Sequence, residues 1–164
     1  MIRTGIGFDA HRFAPGRRLI LGGVEIPGAP GLEGHSDADV LTHAIMDALL
    51  GAAADGDIGR HFPDTDPAWK DARSLALLEA VGRRLAGRGF RVLNVDATVI
   101  AETPRLAPHA PAMRAGLGAA LGLGADRVSV KATTVEGMGA LGRREGMAAL
   151  AVATVDDGPG DPAV

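Results

Sequence analysis

The amino-acid sequence predicts an α+β fold: one domain with a small mixed β-sheet, helices packed on one face of it, and a short N-terminal hairpin. The 164 residues, 46% of them hydrophobic, suffice for one well-packed core and are too few for two ordinary domains. Strand patterns are mixed with three helical patterns, and no internal repeat or linker separates them. We expect the domain to span residues 1–155 and the Gly-, Pro- and Asp-rich residues 156–164 to form a disordered tail.

The first strand and the hairpin are predicted from apolar runs and turn residues. Residues 2–8 have the composition of a buried strand. Residues 18–26 predict a hairpin with its turn at Gly22-Gly23, because paired glycines punctuate two short apolar segments.

The first helix is predicted from a capping pattern. Ser36 is a suitable N-cap, and Asp39 follows at the spacing of a capping box, so we expect a helix from residue 36 to residue 54. His43 would then lie two turns from its start. Asp39 and Asp47 stand four residues before and after His43, so either carboxylate could orient the imidazole ring.

The remaining elements follow from periodicity and from Gly and Pro boundaries. Apolar residues recur at helical spacing over residues 71–86, and a proline-rich loop opens a third helix over residues 112–121. The strand patterns cover residues 90–101, 128–132 and 147–155.

The most specific chemical signal is a D-x-H pair, Asp9 and His11, on a predicted extended segment. Alternate side chains of a strand point to the same face, so the two can share a ligand. His43 offers a second imidazole from a helix that should pack on this strand. Two histidines and one carboxylate leave the fourth position of a tetrahedral zinc open, which is typical of catalytic sites. The alternative is that these side chains are merely satisfied polar groups, but the absence of Cys leaves His and carboxylates as the available zinc ligands.

Two loops are candidate ligand sites. Residues 55–67 combine four aspartates with Gly and Pro, and residues 133–146 combine Gly with hydroxyls, two glutamates and two arginines. Hydroxyls, free backbone N–H groups and Arg are suited to binding a phosphate ester. Either segment could instead be an ordinary solvated loop.

The composition argues against several classes of partner. The net charge is −3, no run of Lys or Arg exceeds a pair, and aromatic residues are few, which argues against a nucleic-acid partner. No apolar stretch approaches the ~20 residues of a membrane helix, so no membrane partner is expected. The absence of Cys and of an apolar N-terminal signal core favours a cytoplasmic location.

Several motifs together resemble one family over residues 2–155. They are GIGFDAH (5–11), GHSDAD (34–39), DALLGAA (47–53) leading into GDIG (56–59), FPDTD (62–66), KATT (131–134) and GRREG (142–146). In this order they resemble the 2-C-methyl-D-erythritol 2,4-cyclodiphosphate synthases, and collinear motifs are far more specific than any one of them. The resemblance implies a lyase of non-mevalonate isoprenoid biosynthesis that cyclises 4-diphosphocytidyl-2-C-methyl-D-erythritol 2-phosphate and releases CMP. It also implies a homotrimer with active sites between neighbouring subunits.

The resemblance further implies roles for individual residues. Asp9, His11 and His43 would hold Zn²⁺ or another divalent cation, and Glu136 would hold Mg²⁺ or Mn²⁺ brought with the substrate. His35 and Thr134 would be catalytic. The implied substrate-binding residues are Asp9, Ala10, His11, His35 and Ser36; Asp57, Ile58 and Gly59; Phe62, Pro63, Asp64, Thr65 and Asp66; Ala101, Glu102, Thr103, Pro104, Arg105, Leu106 and Ala107; Thr133, Thr134, Val135 and Glu136; and Ala140 and Arg143.

One departure and two alternatives accompany these roles. Ala140 stands where relatives usually have Phe, so an aromatic substrate contact is expected to be lost. A metal-dependent phosphohydrolase would use the same three ligands with a water, and a nucleotide-binding trimer would bind CMP without turnover. An open zinc position is of no use to a pure binder, and formation of a cyclic product would separate the synthase from the hydrolase.

Overall fold

The structure, a computed structural model, describes residues 1–158, and this part of the chain contains seven strands and five α-helices, besides three short 3₁₀ helices. The strands are β1 (Ile2–Ala14), β2 (Leu19–Leu21), β3 (Val24–Ile26), β4 (Gly31–Leu32), β5 (Arg91–Ile100), β6 (Val128–Thr133) and β7 (Gly146–Asp156). The helices are α1 (Val40–Ala52), α2 (Ile58–His61), α3 (Ser74–Gly87), α4 (Ala110–Leu121) and α5 (Gly139–Gly142).

Five strands form a mixed sheet in the order β4-β1-β7-β5-β6. Strand β7 pairs antiparallel with both β1 and β5, whereas β5 and β6 are parallel. The short strands β2 and β3 form a separate hairpin. This arrangement confirms the predicted α+β class, the mixed sheet and the N-terminal hairpin with its turn at Gly22-Gly23.

The sheet has one covered and one open face. Helix α1 packs on β1 and β7, and α3 and α4 extend this layer beside it. The covered face is built from small residues such as Ala149, Ala151 and Ala153, all of them buried. The opposite face leaves Ile6 68% and Phe8 59% exposed. The helices α1, α3 and α4 therefore lie on one side of the sheet.

Strand β1 continues beyond the predicted end at residue 8. It pairs with β7 in unbroken register as far as Arg12↔Gly146, so Asp9 and His11 lie within a regular strand. Their side chains share the covered face, as the D-x-H spacing predicts.

Two glycines let α1 approach β1 closely. A Cβ on Gly5 would lie 2.1 Å from the Ala48 carbonyl oxygen, and one on Gly7 would lie 2.0 Å from that of Ala44. Only hydrogen fits between strand and helix at these points. The close approach places His43, next to Ala44, above Asp9.

The capping prediction for α1 is wrong. Asp39, not Ser36, is the N-cap, and its carboxylate accepts hydrogen bonds from Thr42 N at 3.0 Å and from Gly22 N at 3.0 Å. Ala38 has a φ of 56°, a left-handed conformation that a helix cannot include. The helix therefore begins at Val40, and His43 lies one turn from its start instead of two.

Other boundaries shift by a few residues. Helix α3 begins at Ser74 because Asp71 has a φ of 57°. The predicted loop over residues 55–67 contains the one-turn helix α2, which Asp57 caps by accepting from Arg60 N at 3.0 Å.

The predicted tail overlaps the described structure at residues 156–158. Asp156 ends β7, and Asp157 pairs with the N-terminal ammonium and with Arg3. Residues 159–164 of the predicted tail lie outside the described residues. Within residues 1–158, no helix is long and apolar enough to span a bilayer.

Candidate metal and nucleotide site

The strand–helix contact brings the three predicted metal ligands together. Asp9 Oδ2 lies 2.8 Å from His11 Nε2 and 3.1 Å from His43 Nδ1. One ligand atom from each residue falls within 4.8 Å of the other two. A tetrahedral zinc with bonds of ~2.0–2.1 Å has ligand–ligand edges of about 3.3 Å, so the set fits a divalent cation. Asp9 and His11 are partly buried and His43 is buried, so the site is sheltered from water on the helix side.

The carboxylate of Asp9 and the imidazole of His11 shift each other's pKa. Burial alone would raise the pKa of Asp9, but its polar contacts with the His11 and His43 rings outweigh it and hold the pKa far below its ordinary value. Burial would lower the pKa of His11, but the hydrogen bond and the charge of the Asp9 carboxylate raise it by more, so the net shift is upward. Asp9 is therefore ionised at neutral pH and available to a cation.

The ligands open into a cavity of about 390 Å³. Predicted substrate residues that line it are His35, Ser36, Ile58, Gly59, Phe62, Pro63 and Asp64. Asp57 caps the adjoining helix, and the Asp66 carbonyl oxygen lies 3.2 Å from His35 Nε2. The candidate loop 55–67 thus adjoins the metal ligands.

Four wall residues, Gly34 and three with apolar side chains, are absent from the predicted set. Met46, Trp69 and Leu77 complete the apolar side of the cavity. Their signal in the sequence is weak: Leu77 belongs to the α3 periodicity, and Trp69, the only Trp, follows the FPDTD segment.

The partners of His43 also differ from the prediction. The Asp39 carboxylate faces the hairpin turn, and the Asp47 carboxylate accepts from Ile58 N at 2.8 Å. Neither orients the ring. Instead, His43 Nε2 lies 3.2 Å from Ser36 Oγ and 3.0 Å from Ser74 Oγ. The spacing rule failed because Asp39 is taken by four donors from Gly22, Gly23 and Thr42.

A second cluster of predicted substrate residues, within residues 101–107 and 133–136, lies where β5 and β6 end. Leu106 and Ala107 share a cavity of about 310 Å³ with Ala110, Val130, Lys131 and Ala132. Glu102 organises the neighbouring loop, since its carboxylate accepts from Val135 N at 3.0 Å and from Gly137 N at 3.2 Å. Thr134 Oγ1 donates to Glu136 Oε1 at 3.3 Å. Thr133, Thr134 and Glu136 are all exposed.

The structure does not bring the two clusters together within one chain. Ala10 pairs with Ala148, Ala148 with Ile100, and Ile100 with Thr133, so both clusters lie at the same edge of the sheet. Three strand spacings of about 4.8 Å separate Ala10 from Thr133, roughly 14 Å. The cavity beside the metal ligands and the cavity beside residues 106 and 107 share no lining residue.

The remaining predicted residues lie at the periphery. Thr103 and Arg105 are exposed, Pro104 is partly exposed, and Ala101 is buried at the end of β5. Arg143 pairs with Glu145 at 2.7 Å. Ala140 lines a shallow depression of about 170 Å³ together with Ala10 and His11, behind the metal ligands.

Comparison with known proteins gives consistent matches. The model of the YgbB family matches residues 2–156. A 2-C-methyl-D-erythritol 2,4-cyclodiphosphate synthase of Symbiobacterium thermophilum is 62% identical over 92% of this chain and 96% of its own. The bifunctional IspDF of Campylobacter jejuni superposes with a TM-score of 0.91 at 44% identity, over 94% of this chain and 42% of its own. A 2C-methyl-D-erythritol-2,4-cyclodiphosphate synthase in its CDP-bound form gives 0.86 at 38% identity, over 94% and 100%.

Proposed function

The chain belongs to the YgbB family, the 2-C-methyl-D-erythritol 2,4-cyclodiphosphate synthases, and we propose from this premise how its residues carry out the reaction. The enzyme is a metal-dependent, cyclising lyase of isoprenoid biosynthesis. It converts 4-diphosphocytidyl-2-C-methyl-D-erythritol 2-phosphate to the cyclic diphosphate and releases CMP. The observation that carries our assignment of roles is the convergence of Asp9, His11 and His43 on one point at the mouth of a substrate-sized cavity.

We assign the cation at this point as zinc. Two imidazoles and one carboxylate suit zinc better than they suit Mg²⁺, which prefers oxygen ligands and water. When bound, the ion supplies a positive charge that binds and orients a phosphate oxygen. Asp9, His11 and His43 hold it, while His35 and Ser36 bind the same phosphate.

The 390 Å³ cavity holds the methylerythritol half of the substrate. Asp57, Ile58 and Gly59 bind its hydroxyl groups, and residues 62–66 form the outer wall. Phe62 and Trp69 stack edge to face with ring centres 5.1 Å apart, which stiffens this wall.

The second cluster binds the cytidine diphosphate half. Residues 101–107 form the cytosine pocket, and Arg105, Thr133, Thr134, Arg143 and the neighbouring Val135 and Ala140 surround the diphosphate. Glu136 holds the Mg²⁺ or Mn²⁺ that accompanies the two phosphates. The CDP-bound form of a family structure that superposes over 94% of this chain supports a cytidine diphosphate site here.

The reaction itself requires mainly orientation. An oxygen of the 2-phosphate attacks the β-phosphorus, a new P–O bond forms, and the bond to CMP breaks with its electron pair leaving on the CMP phosphate. His35 and Thr134 stabilise the charge that moves toward CMP. Because attack is intramolecular, holding the substrate folded contributes up to ~7–11 kcal/mol in the best cases.

We propose that the enzyme works as a homotrimer with sites between subunits. The open face of the sheet places Ile6 opposite Val152 and Phe8 opposite Leu150, a contiguous apolar surface that a partner subunit would cover. The two clusters lie roughly 14 Å apart in one chain, about three strand spacings. A neighbour that supplies its exposed Thr133, Thr134 and Glu136 would complete each site.

Complementation between damaged chains tests the shared site. His43→Ala removes the metal half, and Thr134→Val, at an exposed position, removes a group of the other half. In a cyclic trimer every mixed assembly has one interface with both halves intact, so random equal mixing restores about a quarter of wild-type activity. Activity is followed by phosphorus NMR of the cyclic product.

Two measurements complete this test. Metal analysis should find about one zinc per wild-type chain and none in His43→Ala. Mixed trimers confirmed by mass that are no more active than the two parents would place each site within one chain.

A further inference from the structure

His43 has polar partners on both ring nitrogens. On the cavity side, Nδ1 faces Asp9 Oδ2 at 3.1 Å. On the protein side, Nε2 faces Ser74 Oγ at 3.0 Å and Ser36 Oγ at 3.2 Å. Ser74 is completely buried, so no solvent competes with its contacts.

The hydrogen bonds of Ser74 leave only one role toward His43. Its backbone N–H donates to Asp37 Oδ2 at 2.9 Å, and its hydroxyl donates to Asp37 Oδ1. A carboxylate can only accept, and a serine hydroxyl has a single proton to give. Ser74 Oγ can therefore only accept from His43, and this nearer contact favours the tautomer in which Nε2 carries the proton.

We propose that Ser74 and Asp37 are positioning residues for the metal site, holding His43 in the tautomer that presents the Nδ1 lone pair to a divalent cation. A histidine that ligates through one nitrogen normally donates from the other to a fixed acceptor. Here that acceptor is a hydroxyl whose own proton is fixed by a carboxylate. The inference rests on the proposed metal-binding role of Asp9, His11 and His43.

Asp37 has a second role, and this role decides which variants test the Asp37–Ser74–His43 chain of hydrogen bonds (the relay) by itself. It caps α3 from a distance, because Arg73 at the N-cap makes no side-chain hydrogen bond and the Ser74 N–H turns to Asp37 instead. Replacing Asp37 with alanine would remove the cap and the relay together. Ser74→Ala keeps the backbone N–H and its bond to Asp37, and removes only the hydroxyl.

Asp37→Asn tests the direction of the relay. Two backbone N–H groups donate to the Asp37 carboxylate: Ser74 N to Oδ2 at 2.9 Å and Asp39 N to Oδ1 at 3.3 Å. The amide oxygen of the substituted side chain should face the nearer donor, Ser74 N. The amide nitrogen then faces Ser74 Oγ and donates to it. The Ser74 proton turns toward His43 Nε2 and favours the wrong tautomer for metal binding at Nδ1.

The test measures zinc dissociation constants of the full-length protein by competition with a chelator. We expect Ser74→Ala and Asp37→Asn each to weaken zinc binding by about 10–100-fold, the usual effect of losing such a partner. Thr42→Val is the matched control: it removes an equally buried hydroxyl of α1, bonded to Asp39 at 2.7 Å, that does not touch the ligands. Its zinc affinity should stay within about twofold of wild type, although its stability falls.

Nitrogen-15 NMR of the zinc-loaded protein provides a readout that lost stability alone would not change. Wild type should show a slowly exchanging His43 Nε2–H, and both variants should lose that protection. Zinc affinity within about twofold of wild type in Ser74→Ala and Asp37→Asn would overturn the relay while leaving the metal site intact. Failure of wild type to bind zinc would instead overturn the proposed function.

Discussion

Replacing Gly7 with alanine will move α1 away from β1 and separate the metal ligands. The added Cβ would lie 2.0 Å from the Ala44 carbonyl oxygen and 2.6 Å from Ala48 N. Carbon and oxygen do not approach within about 3 Å, so the helix must retreat by at least ~1 Å at this point, where packing is tight. His43 is the residue before Ala44 and moves with it.

This displacement is large for a metal site. Zinc–ligand distances hold within about 0.2 Å, so a retreat of ~1 Å removes His43 from the coordination sphere. We expect zinc affinity to fall at least as far as the about 10–100-fold that follows loss of an outer partner. Overpacking costs typically ~1–3 kcal/mol, which lowers the melting temperature of a domain this size by about 2–12 °C.

Chelator competition and thermal unfolding measured on the metal-free protein give the two quantities separately. Gly51→Ala is the control, because this exposed position in α1 offers a Cβ only one neighbour, the Ile6 carbonyl oxygen at 3.8 Å. Replacing this glycine in the last turn of α1 should stabilise the protein by at most ~0.5–1 kcal/mol with no change in zinc binding. If Gly7→Ala binds zinc like wild type at an unchanged melting temperature, the close packing of β1 and α1 does not set the site.

Three further changes test the remaining parts of the molecule. Hydrogen bonding from Arg84 lowers the pKa of Asp55 from its ordinary 3.8 to about 2, although burial opposes the shift. The contribution of ionised Asp55 to stability is therefore present above pH ~4 and is lost as the pH falls toward 2. The shift corresponds to ~2 kcal/mol, and solvent screening of the half-exposed arginine reduces this value. Urea unfolding of Asp55→Asn at pH 7 should therefore show a free energy of unfolding about 1 kcal/mol below wild type, a difference that disappears near pH 2. Glu136→Gln should retain zinc but need more Mg²⁺ for half-maximal turnover, and an unchanged Mg²⁺ titration would contradict its proposed role. Phe8→Lys, on the open sheet face, should convert the proposed trimer to monomers in sedimentation, whereas Ala76→Lys, exposed on α3 on the other side of the sheet, should not. An assembly that Phe8→Lys leaves intact would move the proposed interface elsewhere.

The sequence predicted those features that depend on short-range spacing. The alternation of a strand puts Asp9 and His11 on one face whatever surrounds them. The glycine pair at the hairpin turn and the period of α3 are likewise local. The metal ligands could therefore be proposed from residues within a strand and a helix, together with the family resemblance.

The sequence could not predict how polar groups are shared between distant segments. A capping box at Ser36 is locally sound, but Asp39 caps α1 because the hairpin turn also presents the Gly22 and Gly23 N–H groups to it. Ser74 lies 31 residues from His43, so no spacing rule connects them. Which acceptor a donor finds depends on which elements pack together.

Residue types and local spacing determined which side chains could bind a metal and where strands and helices form. The tertiary structure decided how close those elements come, and it did so through Gly5 and Gly7, where the absence of a Cβ lets α1 rest on β1. It also decided that Ser74 and Asp37, on segments far apart in the chain, stand behind His43. Buried polar groups must find partners wherever packing places them, and that choice belongs to the folded chain as a whole.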